Sequence, residues 1–336
     1  YNFIALLRHL LAITVIYSHS FILLDGFSYD PLHQFTSIFD FAEIAVACFF
    51  VISGRLIVQS YLHSRSIVEY ALKRFFRIFP GLLVCVLFTV LCSIVIFSMS
   101  GGRGIHYLEN GSVYHYMLNV FFVGDYSLPY IFEDNPFPNV ANGSLWTLRY
   151  EVAMYILVLG LSFIKHRGPA IVLFLLLVSF FFLFNDYNEP SLQGNFYKLS
   201  FVFFGSSLFV LMTVKKASLI VFYMLLLAFV LSYFYTVNIY RYSVYCLLII
   251  LLNILVVVSS RLNSPRCSKK IEADFSYGIY IYAFFVQQCI LIFFNMDNAF
   301  VFFLFSLSLT FLISCVSWYF VEKKVMRWGR LKFMNL

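Results

Sequence analysis

The chain has 336 residues, of which 62% are hydrophobic, 21% aromatic and only 12% charged, with a formal net charge of +7. Soluble domains run near half apolar and about a quarter charged, and the 43 Phe and 24 Tyr of this chain exceed what a water-soluble fold of its size can bury. A cytosolic enzyme, a disordered chain and a nucleic-acid module are excluded, and a protein dissolved in lipid remains.

A helix crosses a hydrocarbon core with about 20 largely apolar residues. Ten stretches qualify in chain order: 3–24, 41–62, 78–99, 144–165, 169–185, 197–214, 217–236, 241–260, 275–294 and 299–321. Runs such as Ile171 to Phe184 do not alternate as barrel strands do, so the predicted fold class is all-α, a polytopic membrane bundle of about ten helices. With the N-terminus inside, 18 of the 23 Lys and Arg fall on the inner side, including Arg65, Lys73, Arg74 and Arg77 in loop 63–77, the pairs Lys165/Arg167 and Lys215/Lys216, and the tail from Lys323 to Lys332. The positive-inside rule then places both termini in the cytoplasm. The longest loop, 100–143, is external, and Tyr114 to Val123 within it is expected to form a short helix. Residues 1–336 are read as a single membrane domain without a soluble domain after the last helix. The first span, holding Arg8 and His19, is not expected to be a cleaved signal peptide. Six of the seven Cys lie in spans and the seventh, Cys267, in an inner loop, so neither a disulfide framework nor a metal site is expected.

An ionisable residue near the bilayer centre costs about 2.5–3.5 kcal/mol and asks for a partner or a task. Five stand out: Arg8, His19, Arg55, Arg149 and Glu151. Arg8 and His19 are eleven residues apart, which is three turns plus about 20°, so they share one helix face and stand roughly 16 Å apart along the axis. Glu151 and His19 sit at matching depth below the outer ends of their spans. A carboxylate beside an imidazole is the usual means of making a general base near neutral pH. The alternatives are a packed histidine bonded to a neighbouring helix and a Glu151 that pins the bundle through a buried donor. Arg149 and Glu151, two residues apart, face different ways. Arg74 and Arg77, three apart, can converge on one phosphate, or serve only as cytoplasmic anchors.

Together these residues resemble the membrane acyltransferase-3 family of bacterial O-acyltransferases. The likeness is carried by Arg8 followed after ten residues by His19, by Phe49-Phe50-Val51-Ile52-Ser53-Gly54, by Arg74-x-x-Arg77 with Ile78 and Pro80, by Trp146-Thr147-Leu148-Arg149-Tyr150-Glu151, and by Ser276-Tyr277-Gly278-Ile279-Tyr280. Arg55, where the family has a bulky apolar residue, and Ala283, where many members have His, depart from the pattern.

The resemblance implies transfer of an acyl group, expected to be acetyl, from cytoplasmic acetyl-CoA to a hydroxyl of a surface glycan such as lipopolysaccharide O-antigen or a lipid-linked oligosaccharide. The setting is the bacterial inner membrane, with membrane lipid but no nucleic acid and no metal as partners. It implies His19 and Glu151 as catalytic residues, Arg8, Arg74 and Arg77 as donor-binding residues, and Ser53, Trp146, Arg149 and Tyr280 as substrate-binding residues. His19 acts either as general base or as a nucleophile that becomes an acyl-imidazole. The competing function is a transporter or flippase of a glycan or glycolipid that uses the buried His, Arg and Glu as a polar pathway.

Overall fold

The computed structural model describes residues 3–160, 175–176, 178, 192–213, 237–262 and 273–334. The helices are α1 (Phe3–Asp25), α2 (Pro31–Thr36), α3 (Phe41–Leu62), α4 (Ile67–Met99), α5 (Gly104–Glu109), α6 (Gly111–Met117), α7 (Trp146–Gly160), α8 (Leu192–Thr213), α9 (Val237–Leu262), α10 (Ser276–Phe293), α11 (Ala299–Ser317) and α12 (Lys323–Gly329). The described residues contain no strand, only an isolated bridge between Ser127 and Val140. Six helical stretches among them are long and apolar enough to cross a membrane: Phe3–Asp25, Phe41–Leu62, Ile67–Met99, Leu192–Leu211, Ser276–Phe293 and Ala299–Phe333. The predicted span 144–165 appears as α7 up to Gly160, and 241–260 falls within α9. The predicted spans 169–185 (apart from residues 175, 176 and 178) and 217–236, the pairs Lys165/Arg167 and Lys215/Lys216, and Cys267 lie outside the described residues.

The predicted loop 63–77 is largely helix, because α4 starts at Ile67. A capping box sets this start: Ser66 Oγ accepts from Glu69 N at 3.1 Å, and the Glu69 carboxylate reaches back to Arg65 N at 2.8 Å. Lys73, Arg74 and Arg77 are therefore held on a rigid helix rather than on a loop. The expected helix at 114–123 is present as α6 and a 3-10 turn over Leu118–Phe121. Asn110 caps α6, accepting from Ser112 N at 2.9 Å. Asn142 is fully buried, donating to Ile281 O at 2.8 Å and accepting from Ser144 N at 3.2 Å. The Asn-Gly-Ser triplets at both places act in helix capping and loop anchoring. Beyond α11 a π-helical turn, Trp318–Glu322, leads into α12.

The chain divides into two compact units. The first comprises Tyr1–Leu6, Ile44–Ala71 and Tyr150–Lys270. Here α3 approaches α8 so closely that a Cβ on Gly54 would stand 2.2 Å from Phe203 O. Ser207 Oγ donates to Gly54 O at 3.1 Å, the close backbone packing that small residues permit between helices in lipid. Arg55, without an assigned role in the sequence, donates to Asn253 Oδ1 at 3.0 Å, and Asn253 donates to Ser206 Oγ at 3.0 Å. The half-buried cation thus ties α3 to α9, with α8 completing the polar cluster. Gly54→Ala is expected to cost roughly 1–3 kcal/mol as overpacking against a backbone atom. A lowered melting temperature of the purified variant, measured beside Ala45→Gly on the same helix, checks this.

The second unit comprises Leu7–Glu43, Leu72–Arg149 and Ile271–Leu336. Its core at one end of α10 gathers Leu23, Phe284, Val286, Ile290 and Phe302. The long loop after α6 is fixed to α10 by amides: Asn135 Nδ2 donates to Gln288 O at 3.0 Å, and Gln288 Nε2 donates to Phe137 O and Val140 O, each at 2.9 Å. Phe122, Tyr130 and Phe132 adopt left-handed backbone conformations at φ 65°, 61° and 58°. Bulky residues rarely hold that region unless surrounding contacts impose it.

Candidate active site

Helix α1 carries both Arg8 and His19 without a break, so their shared face and axial separation of roughly 16 Å stand. His19 is half-buried, with its ring edge-to-face against Phe284 at 5.5 Å between centroids. Its Nδ1 is buried and has no hydrogen-bond partner among the described residues. Buried ring nitrogens are ordinarily satisfied, so an exception asks for an explanation, of which a catalytic role is one. Around it the helix is pinned. Gln287 of α10, fully buried, donates to Ile16 O at 3.1 Å and to Ser20 Oγ at 3.0 Å. Ser18 Oγ donates to Asp30 Oδ2 at 2.6 Å. Asp30 is itself fully buried, caps α2 through Leu32 N and His33 N, and accepts from Phe41 N at the start of α3. One carboxylate in the connection from α1 to α3 therefore organises the backbone next to His19.

At the other end of the polar stripe, Arg8 Nη1 and Arg77 Nη2 both donate to Asp274 Oδ2, each at 2.8 Å. Burial alone would raise the Asp274 carboxyl. Arg8 and Arg77, aided by the Ser276 side chain, instead hold it well below the usual carboxylate range. The Arg77 guanidinium also lies over the Tyr277 ring at 5.6 Å, and Tyr277 OH donates to Ile78 O at 2.9 Å. Two of the three expected donor-binding arginines are thus brought together from α1 and α4. Arg74 lies one turn before Arg77 on α4, half-buried.

The remaining expected residues divide between the units. In the second, Thr147 Oγ1 and Tyr280 OH are 2.8 Å apart, and Trp146 begins α7, half-buried. Arg149 donates to Gly124 O at 3.1 Å and stands over the Tyr126 ring at 4.7 Å. It is engaged with the long loop and not with Glu151, as the two-residue spacing anticipates. In the first unit, Glu151 Oε1 accepts from Ser53 Oγ at 3.1 Å and from Tyr155 OH. This joins two expected residues, Ser53 and Glu151, across α3 and α7. Asp274, Asp30, Gln287 and Tyr155 escaped sequence reasoning. Asp30-Pro31 could have been read as a helix cap, and Tyr155 stands four residues after Glu151. Among the described residues no group of three or more His, Cys, Asp or Glu side chains could hold a metal ion.

A family model described as an acyltransferase domain matches residues 1–319. The chain belongs to the membrane acyltransferase-3 family. It is 27% identical over 293 residues to a protein named O-acetyl transferase from Shigella phage Sf6, covering 84% of each chain. It is also 34% identical over 158 residues to Nodulation protein 10 of Rhizobium leguminosarum bv. viciae, covering 45% of this chain and 41% of that one. No solved structure matches. With this membership and its apolar helices, the chain is a multi-pass membrane acyltransferase.

Proposed function

We propose that the chain transfers an acetyl group from cytoplasmic acetyl-CoA to a hydroxyl of a surface glycan, such as lipopolysaccharide O-antigen or a lipid-linked oligosaccharide, in the bacterial inner membrane. The observation that carries this reading is a single helix bearing two unlike sites. Arg8 belongs to a cationic cluster suited to phosphates, and His19, three turns on, presents a buried nitrogen without a partner. An extended pantetheine arm is of the order of the roughly 16 Å between them. The phosphates of the donor would rest at Arg8, Arg74 and Arg77, on the side the basic loops assign to the cytoplasm, and the thioester would reach His19.

In this mechanism the sugar hydroxyl oxygen attacks the thioester carbonyl carbon while the His19 imidazole takes the hydroxyl proton. The tetrahedral intermediate collapses with cleavage of the carbon–sulfur bond, and the imidazolium returns its proton to the departing thiolate. The products are an O-acetyl ester and free CoA, and His19 is regenerated. Within the second unit Trp146, Arg149 and Tyr280 would serve the acceptor; in the first, the Glu151 carboxylate held by Ser53 would supply a negative charge to the reaction.

The deciding experiment uses purified protein in nanodiscs with acetyl-CoA and a lipid-linked O-antigen acceptor. Free thiol is expected to appear in step with acetylated glycan, read by mass spectrometry. Movement of glycan across the bilayer without thiol release would overturn the proposal in favour of a transporter.

A further inference from the structure

Arg8, Arg77 and Asp274 come from three separate parts of the chain, with Asp274 266 residues from Arg8 and 197 from Arg77. Two guanidinium groups within reach of one point repel each other, and the α1 and α4 backbones alone do not oblige them to converge. Both donate to the same oxygen, Oδ2. The other oxygen, Oδ1, accepts from Ser276 N at 3.2 Å and from Ser276 Oγ at 2.5 Å. The carboxylate is therefore held through one oxygen by the first residue of α10 and through the other by the two arginines. The side chains of Arg8, Arg77 and Asp274 keep 23%, 19% and 23% of their surface exposed, so the cluster stays open to a ligand. His9, beside Arg8, accepts from Phe275 N at 3.2 Å and fastens α1 to the same segment. The trio itself carries two cations and one anion, with the buried Glu322 side chain within electrostatic reach of Arg77 and Asp274.

We propose that Asp274 is a positioning residue that gathers Arg8 and Arg77 into one receptor for the phosphate groups of the acyl donor. This rests on the donor reading given above. A free carboxylate among donor-binding arginines would compete with phosphate. The hold of Ser276 on Asp274 argues otherwise, because a competitor must be able to leave, whereas a fixed anion sets the spacing and plane of both cations. Fork-like recognition of phosphate depends on that plane.

The test measures CoA affinity by titration, and acetyl-CoA KM and kcat, for full-length Asp274→Asn, Asp274→Glu, Ser276→Ala and the Arg8→Ala/Arg77→Ala double variant. Asp274→Asn keeps the shape and adds one positive charge to the trio. It is nevertheless expected to weaken CoA binding and raise KM about tenfold with kcat within about twofold, the scale of one charge-assisted contact. Asp274→Glu is expected to recover part of that loss. Ser276→Ala, which keeps all three charges, is expected to raise KM about threefold at an unchanged melting temperature, and it decides the matter should Asp274→Asn fail to fold. Tighter CoA binding by Asp274→Asn would overturn the proposal and make the carboxylate a competitor. So would wild-type KM in both Asp274→Asn and Ser276→Ala, or equal loss of kcat and KM effects tracking melting temperature. Full CoA binding by the double arginine variant would instead remove the donor site itself, a failure of the underlying reading and not of the role of Asp274 alone.

Discussion

His19→Ala is expected to lower kcat for acetyl transfer by about 10²–10⁴, the range supplied by one general base, while CoA affinity stays within about twofold of the native protein. The separation of effects follows from α1. Arg8 and His19 share a face but lie three turns apart, and the phosphate-binding end has its own framework in Asp274 and Ser276. The imidazole Nδ1 has no hydrogen-bond partner among the described residues and the ring packs on Phe284, so truncating it removes a contact face without breaking a polar network. Stability should fall by little more than the lost ring packing. Rapid-quench measurement with acetyl-CoA and no acceptor separates the two routes open to His19: the general-base route gives no acylated protein, whereas a burst of acyl-enzyme would make the imidazole the nucleophile. A His19→Ala protein that acetylates glycan at the native rate would remove both.

The polar stripe on α1 was legible because helical periodicity fixes which residues share a face from spacing alone. So was the short helix at α6, set by neighbours in sequence. The partners of the stripe were not. Asp274 belongs to a basic connecting segment, where counting charges by loop treats every carboxylate as solvated. Only the fold reveals that it sits between Arg8 and Arg77. Asp30 was hidden for the same reason: an external loop acid by count, it is fully buried and bonded to Ser18 beside His19. Arg55 was conspicuous as a cation in an apolar span, yet its partner Asn253 lies 198 residues away. Local patterns specify faces and caps, whereas the pairing of buried charges depends on contacts between distant segments. The start of α4 is the instructive exception, since Ser66 and Glu69 form a capping box within four residues and move the basic cluster from a loop onto a helix.

Glu151→Gln is expected to reduce kcat by about 10²–10³ while leaving the melting temperature within a degree or two, because the amide keeps the hydrogen bonds and removes only the charge. Ser53 Oγ and Tyr155 OH both donate to Oε1, and a Gln carbonyl oxygen can accept from both. If Glu151 serves to pin α3 against α7, the variant retains that function and acetylates at close to the native rate. If the carboxylate stabilises a protonated His19 during transfer, the loss of charge is felt in the transition state and not in the fold. Ser53→Ala and Tyr155→Phe supply the reverse case. Each removes a donor from Oε1 and keeps the charge, so each should lower the stability by the roughly 1.5–3 kcal/mol that a hydrogen bond to a charged group contributes, seen as a lower melting temperature, and reduce kcat far less than Glu151→Gln does. Rates that follow melting temperature across all three variants would show Glu151 to be a structural tie. An unchanged melting temperature with a hundredfold slower Glu151→Gln assigns its negative charge to the chemistry.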